Sequence, residues 1–243
     1  MKGIVRRLTT LGLIGATLTG VTTSFSRAAL ALPRAEIVEK LSTVPVFLIV
    51  DEDGRSLTAS VDNSSGEDLQ APIVFIDAEA ARDFLERAEA ENAPFAGEAQ
   101  VAALPLSSVY QEARQQLRTS TSLVYIPDRD AIEDAEELAS VEDFPGVPLF
   151  AAVNRENGQY LLYSDQTLPM FFSLADLQRQ LQPFFDQNPD AASTIRIEVI
   201  TLEGLLQSME NNTDAEIDEV LGLIQLVPAS DTLRYLQNNV PRR

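Results

Sequence analysis

The sequence predicts an α+β fold of two similar halves, each with its elements in the order ββ-β-α-β-α-β-α. Three observations lead to this prediction. Short apolar runs bounded by Asp, Asn, Gly or Pro are typical of strands. Other segments place apolar residues at helical spacing behind a capping residue. Both kinds of segment recur in the same order along the chain, which predicts halves related by a pseudo-twofold axis, with helices packed on sheet.

The internal repeat is carried by matching blocks. Residues 44–47 return at 147–150, which is 103 positions later, and residues 74–77 match 170–173, which is 96 positions later. The offset of 96 continues through Leu85 and Leu181 to Tyr110 and Leu206. Residues 123–127 then match 224–228. Because the blocks keep one order in both halves, we interpret the chain as a duplication.

Each half begins with strands. Residues 44–50 form an apolar run that predicts a central strand, and an Asp-Gly turn follows it. A second strand is predicted at 57–61, with 160–163 as its second copy, and a short third strand at 73–76.

Helices alternate with the remaining strands. Asp77 and Ser173 have the chemistry of helix N-caps. Behind them, apolar residues share one helix face: Ala81, Phe84, Leu85 and Ala88 in the first copy, and Leu174, Leu177, Leu181, Phe184 and Phe185 in the second. Asn-Pro signals near 92 and 188 end both helices.

The rest of each half follows the same plan. The remaining predicted elements are strands at 100–106 and 195–202, helices from about Ser107 and Glu203, strands at 123–126 and 223–227, and helices from about Asp130 and Asp231. We assign residues 32–140 to the first half and 141–243 to the second. The halves could each bury a core or share one sheet, and the sequence leaves both arrangements open.

The N-terminus predicts export. Lys2, Arg6 and Arg7 precede an uncharged, mostly apolar stretch, and Ala29-Leu30-Ala31 is a small-x-small cleavage pattern. Residues 1–31 therefore read as a secretory signal peptide, which would leave no membrane span after cleavage. The remaining chain carries 14 basic and 37 acidic residues, and this excess of negative charge argues against nucleic acid and anionic membranes as partners.

The composition excludes most catalytic chemistry. The chain has no His and no Cys, and Lys occurs only at Lys2 and Lys40. Ser–His–Asp triads, thiol nucleophiles and imidazole or thiolate metal sites are therefore ruled out. Asp51-x-Asp53-Gly54 resembles the start of a calcium loop but lacks the later ligands, so it predicts a hairpin turn. We predict a non-enzymatic protein without catalytic residues, metal, cofactor or small-molecule substrate.

Large aromatic residues are the candidate binding groups. Most are expected in the core, but a subset could line an exposed apolar groove. Phe171-Phe172 are neighbours on a strand and must point to opposite faces, so one must be exposed or covered by another layer. The candidate binding residues are Phe75, Tyr110, Phe171, Phe172, Phe184 and Phe185.

Several motifs together carry a family resemblance. They are Ala31-Leu32-Pro33, Val44-Pro45-Val46-Phe47 with its turn, Phe75-Ile76-Asp77 with Ala80-Ala81 and Phe84-Leu85, Leu106-Ser107-Ser108-Val109-Tyr110, and Leu226-Val227-Pro228. In this order they resemble the family of the 22-kilodalton component of the translocon at the inner chloroplast envelope. The bacterial-type signal peptide points to a cyanobacterial member rather than a plastid protein.

The resemblance implies a soluble protein of the periplasm or thylakoid lumen. It also implies two similar halves with apolar pockets that hold client polypeptide, so the six candidate binding residues are predicted to contact a client. The expected function is that of a chaperone-like factor in protein translocation or outer-membrane biogenesis. Expected partners are unfolded or translocating polypeptides and the soluble domains of an outer-membrane barrel assembly protein. The alternative is a structural adaptor that bridges envelope proteins without a client groove.

Overall fold

The computed structural model describes residues 31–62, 68–117, 123–163 and 166–239, so residues 1–30 of the predicted signal peptide lie outside it. The elements up to residue 139 are α1 (Arg34–Leu41), β1 (Pro45–Val50), β2 (Thr58–Asp62), β3 (Asp68–Phe75), α2 (Ala78–Ala90), a 3-10 helix (Ala96–Glu98), β4 (Gln100–Pro105), α3 (Leu106–Leu117), β5 (Val124–Ile126) and α4 (Arg129–Ala139).

The elements that follow are β6 (Pro148–Asn154), β7 (Leu168–Phe171), α5 (Leu174–Gln187), α6 (Ala191–Thr194), β8 (Ile195–Thr201), α7 (Leu202–Asn211), α8 (Ala215–Leu223), β9 (Ile224–Val227) and α9 (Ser230–Asn239). The chain is therefore α+β, as the sequence predicts. Among the described residues, no helix combines the length and the apolar character that a bilayer crossing requires.

The strands form two separate sheets with a common order. The first runs β4-β1-β3-β5, with β2 added beside the start of β3, and the second runs β8-β6-β7-β9. In each sheet one pair is parallel, β3 with β5 and β7 with β9. Phe47 lies opposite Phe75 in the first sheet, and Phe150 lies opposite Phe171 in the second. That the halves superimpose about a twofold axis stays a prediction.

The core has a central layer and two outer layers. The central cluster joins side chains of both sheets with side chains of α1, α3, α7 and α8. The outer cluster on the first sheet includes Tyr235 and Leu236 of α9, and the outer cluster on the second sheet includes Ala131 and Ala135 of α4. Each outer layer thus combines helices from both predicted halves. The boundary between the halves at residue 140 stays a prediction.

Local signals place the starts of the helices correctly. Asp77 accepts a hydrogen bond from the Ala80 amide at 2.9 Å, and Ser173 accepts one from the Asp176 amide at 3.3 Å, as expected of N-caps. The Asp51 side chain accepts hydrogen bonds from the amides of Asp53 and Arg55, so this segment is the predicted turn.

One predicted strand is wrong. Residues 160–163 form no strand, and only Tyr160 makes a single bridge, to Val153. In the first half, β2 pairs with the first five residues of an eight-residue β3. β7 begins only at Leu168, so the second copy lacks the extended partner on which a strand would form. The helices α1, α6 and α8 are also absent from the predicted elements.

Candidate functional site

Four of the six aromatic residues predicted to contact a client are buried. Phe75 and Tyr110 are each 1% exposed, and Phe171 and Phe172 are each 4% exposed. Full burial of an aromatic ring stabilises the fold by about 2–3 kcal/mol, so these side chains have a clear structural role. Their contact with a client stays a prediction.

The neighbours Phe171 and Phe172 do point to opposite faces of the second sheet. Phe171 belongs to the outer cluster beneath α4 and α5, whereas Phe172 belongs to the central cluster. Because the sheet lies between two apolar layers, both rings are covered and neither is exposed.

Phe184 and Phe185 are half-buried near the end of α5, with ring centroids 5.9 Å apart. Phe184 lines a cavity of about 230 Å³ together with Tyr160 and Leu161. This cavity is smaller than the one in the first half, which is described next.

A large open concavity lies between α2, the end of β3 and the β5–α4 junction. Its volume is about 940 Å³, and we name it the α2–α4 groove. Its apolar lining includes Phe75, Ala80, Phe84, Ile126 and Pro127. The rings of Phe75 and Phe84 pack with centroids 5.5 Å apart and form part of a continuous apolar floor.

The rim of the α2–α4 groove is strongly acidic. The charged residues that line it are six acids, Asp77, Glu79, Asp83, Glu86, Asp128 and Asp130, and two bases, Arg87 and Arg129. An apolar floor with an uneven charged rim has the general form of a binding site for an amphipathic partner.

Two rim carboxylates are fixed by the helices that they cap. Asp77 caps α2, and Asp128 caps α4 by accepting a hydrogen bond from the Ala131 amide at 2.9 Å. Burial, followed by the neighbouring charges of Asp77 and Asp130, raises the pKa of Asp128, although its hydrogen bond opposes the shift. The groove thus holds negative charges that repel one another.

The corresponding place in the second half is bridged. Asp176 of α5 lies 96 positions after Ala80, and its side chain accepts hydrogen bonds from the Ser230 amide at 2.7 Å and the Ser230 hydroxyl at 2.8 Å. Arg179 forms an ion pair with the same carboxylate. Burial would raise the pKa of Asp176, but these partners outweigh burial and hold it below its usual range.

A polar network joins α3 and α7 at the centre. The Tyr110 hydroxyl donates to Glu210 Oε1 at 2.6 Å, and Arg114 Nη1 donates to the same oxygen at 2.7 Å. Arg114 and Glu210 are also 96 positions apart. Side chains at matching positions meet in this way when they lie beside a twofold axis, which supports the predicted symmetry.

Among the residues that line the groove, the sequence predicts a binding role for Phe75 and a capping role for Asp77, but it does not predict the groove itself. A usable signal was present, since the residue at the Asp176 position in the first half is Ala80, which cannot bridge two helices. Within the described ranges, no group of three or more acidic residues is placed to hold a metal ion.

Comparison with known proteins gives a consistent fold. A model of the Tic22-like family matches residues 11–238. The structure of Tic22 from Anabaena, described as a protein of protein transport, is 24% identical over 87% of this chain and 99% of that one, with a TM-score of 0.69. Tic22 from Plasmodium falciparum is 17% identical over 85% and 99%, with a TM-score of 0.57. These two likenesses show the fold alone, and no curated protein matches the chain.

Proposed function

Because the chain belongs to the Tic22-like family, we propose that it is a non-enzymatic, chaperone-like factor that binds client polypeptides during protein translocation or outer-membrane biogenesis. The Anabaena relative is described as acting in protein transport, which supports this role. We place the protein outside the cytoplasm, in the periplasm or thylakoid lumen, because the first 31 residues have the pattern of a signal peptide.

The α2–α4 groove is the observation that carries the proposal. Monomeric proteins rarely leave a large apolar concavity open unless it binds something. A volume of about 940 Å³ accommodates several side chains of an extended or helical segment. Binding would bury the exposed parts of Phe84 and Ile126, and release would return them to water.

The predicted aromatic residues then divide into two roles. Phe75 is only 1% exposed and packs against Phe84, so it supports the groove floor from below. Phe184 is half-buried and lines the smaller cavity, so it is a candidate for direct contact. Tyr110, Phe171 and Phe172 are buried, so we propose that they support the surfaces that clients contact.

Suppression of aggregation tests the proposal. The purified protein should slow the aggregation of an unfolded outer-membrane protein, followed by light scattering. Phe84→Gln and Ile126→Gln should each abolish most of this effect, because a polar side chain on the floor weakens the burial of apolar client groups. Leu138→Gln is the matched control, since Leu138 is 41% exposed on α4 outside the groove.

Two results would contradict the proposal. Circular dichroism first has to show that the variants fold. Equal suppression by the folded groove variants and by the control would mean that the groove does not bind clients. Crosslinks that map only to folded domains of an outer-membrane assembly protein would instead favour the structural adaptor.

A further inference from the structure

We infer that the α2–α4 groove takes a cationic amphipathic segment, in which Lys or Arg side chains flank apolar ones. This inference rests on the proposed function and names the class of client that the site prefers. It follows from the arrangement of charge around the groove, from the apolar floor, and from the contrast with the second half.

The rim has far more negative than positive charge. Six acids and two arginines line it. Glu86 pairs with Arg82 at 3.7 Å, but Glu79, Asp83 and Asp130 form no ion pair within the described residues. Carboxylates of one sign around a concave surface focus the potential and attract cations.

The two basic rim residues do not cancel this charge. Arg87 donates its Nε hydrogen bond to the backbone oxygen of Asp83, and Arg129 lies 4.0 Å from Glu133, which is outside the groove lining. The carboxylates of the rim are therefore left without a matched set of positive partners.

Helix N-termini beside the groove would by themselves favour anions. Here each of the two N-termini already holds a carboxylate of this chain. Asp77 occupies the start of α2, and Asp128 occupies the start of α4. Each full negative charge exceeds the partial positive charge of the helix end, so the sum at both places stays negative.

The apolar floor of the groove favours a ligand that has apolar side chains as well as positive charge. The half-buried Phe84 and Ile126 offer aromatic and aliphatic surface between the charged edges, and the buried Phe75 supports them. A segment that fills the groove must place apolar side chains on this floor and basic side chains at the rim, which is the pattern of a cationic amphipathic helix or strand.

The second half lacks this combination. The Asp176 carboxylate is shared by Arg179 and by the start of α9, so its charge is already compensated. The preference for a basic segment should therefore belong to the first half alone.

Three labelled peptides of one length and one Leu content, with Lys, Gln or Glu at the remaining positions, test the inference by fluorescence anisotropy. The Lys peptide should bind about tenfold tighter than the Gln peptide at about 0.01 M salt, and the difference should shrink at about 0.15 M. The Glu peptide should bind most weakly.

Matched charge variants locate the effect. Glu79→Gln/Asp83→Asn/Asp130→Asn should remove most of the preference for Lys over Gln. The control Glu216→Gln/Glu219→Gln/Asp143→Asn changes the net charge equally at exposed acids that are neither in the groove lining nor next to it in the chain. It should keep the preference within about twofold, since distant exposed charges are screened.

The outcomes separate the two proposals. Equal binding of the three peptides, abolished by Phe84→Gln, would overturn the charge preference but leave the client groove standing. Binding of none of them would overturn the proposed function itself. An equal loss in both charge variants would show a general effect of the acidic protein and would overturn the inference.

Discussion

The α2–α4 groove and the α5–α9 junction occupy matching places beside the two sheets, yet the first is open and the second is bridged. In both, a helix follows a strand that pairs in parallel with its neighbour and ends at Pro127 or Pro228. The difference comes from few side chains. The first half has Ala80 where the second has Asp176, and only the carboxylate reaches the neighbouring helix.

The cause of the difference is the capping of the last helix in each half. A helix start leaves amide groups without partners in the helix, and a side-chain oxygen is one of the groups that can accept from them. Asp128 does this for α4 from within the chain segment itself. Ala229, at the matching position before α9, has no such oxygen, so Asp176 of α5 supplies it. Closure of the junction is thus a consequence of capping from a neighbouring helix.

The largest expected effect tests whether the two halves form one folding unit at all. Phe47 and Phe150 are matching residues, both 0% exposed, beneath helices that come from the opposite half. Phe47 packs edge-on against Tyr235 of α9. Phe47→Ala and Phe150→Ala should each lower the free energy of unfolding by about 3–5 kcal/mol. Urea unfolding followed by circular dichroism measures this.

Because α4 and α9 cross between the halves, both variants should unfold in one transition. An exposed Leu233→Ala change on α9 is the control and should cost under about 0.5 kcal/mol. If either Phe variant unfolded in two steps, the halves would be separate units and the comparison of their junctions would lose its basis.

The next effect lies where the matching helices α3 and α7 meet. Glu210→Ala should destabilise the protein by about 2–3 kcal/mol, because it leaves the Tyr110 hydroxyl and the Arg114 guanidinium without their acceptor. Glu210→Gln keeps an acceptor oxygen without the charge and should cost about half as much. Equal costs for the two variants would show that charge alone matters in this network.

Removal of the bridge in the second half should have a smaller effect. Asp176→Ala should lower stability by about 1–2 kcal/mol, since it takes away the acceptor of the Ser230 amide. Asp186→Ala, at an exposed position of the same helix, is the control. A loss no larger than that of the control would mean that the bridge does not hold the junction closed.

The stability that Asp176→Ala loses relative to wild type should depend on pH. The pKa of Asp176 is lowered in the folded protein, so its contribution is fully present above the pKa of the unfolded chain, about 3.9. It is lost as the pH falls through the lower folded value. The stability difference between wild type and Asp176→Ala should therefore be constant near neutral pH and shrink below about pH 4. A difference that grew on acidification would contradict this assignment.

The features that the sequence predicted well depend on neighbours along the chain. The strand β1, the caps Asp77 and Ser173, and the end of α2 before Asn92 follow from local apolar patterns, capping chemistry and a residue with a positive φ of 55°. Each of these signals lies within a few residues of the structure that it specifies.

The features that it did not predict depend on contacts between distant segments. The crossing of α4 and α9 and the missing strand at residues 160–163 each depend on a partner far along the chain. For Phe171 and Phe172 the sequence leaves exposure and covering by another layer both open, and only such distant contacts decide for covering. The groove is harder still, because it exists where Ala80 lacks a side chain that could close it. Residue propensities and apolar periodicity reflect contacts that side chains make, so they do not indicate a groove that is open because Ala80 makes no bridge.

The smallest change in stability should accompany the most direct test of the comparison. Ala80→Asp/Asp128→Ala/Arg129→Ser transfers the side chains of the second junction to the first. The lost cap of α4 costs about 1 kcal/mol, and the new carboxylate at position 80 can accept from the same helix start, so the net change in stability should stay within about 1 kcal/mol.

The transferred bridge should narrow the groove and weaken binding of the Lys peptide about tenfold. Ala80→Asp alone adds rim charge while Asp128 still caps α4, so it should strengthen that binding instead. If the triple variant binds the Lys peptide more weakly than wild type and Ala80→Asp binds it more tightly, the bridge, and not the added charge, decides which junction can hold a client. If both variants change the affinity in the same direction, the comparison of the two junctions is wrong.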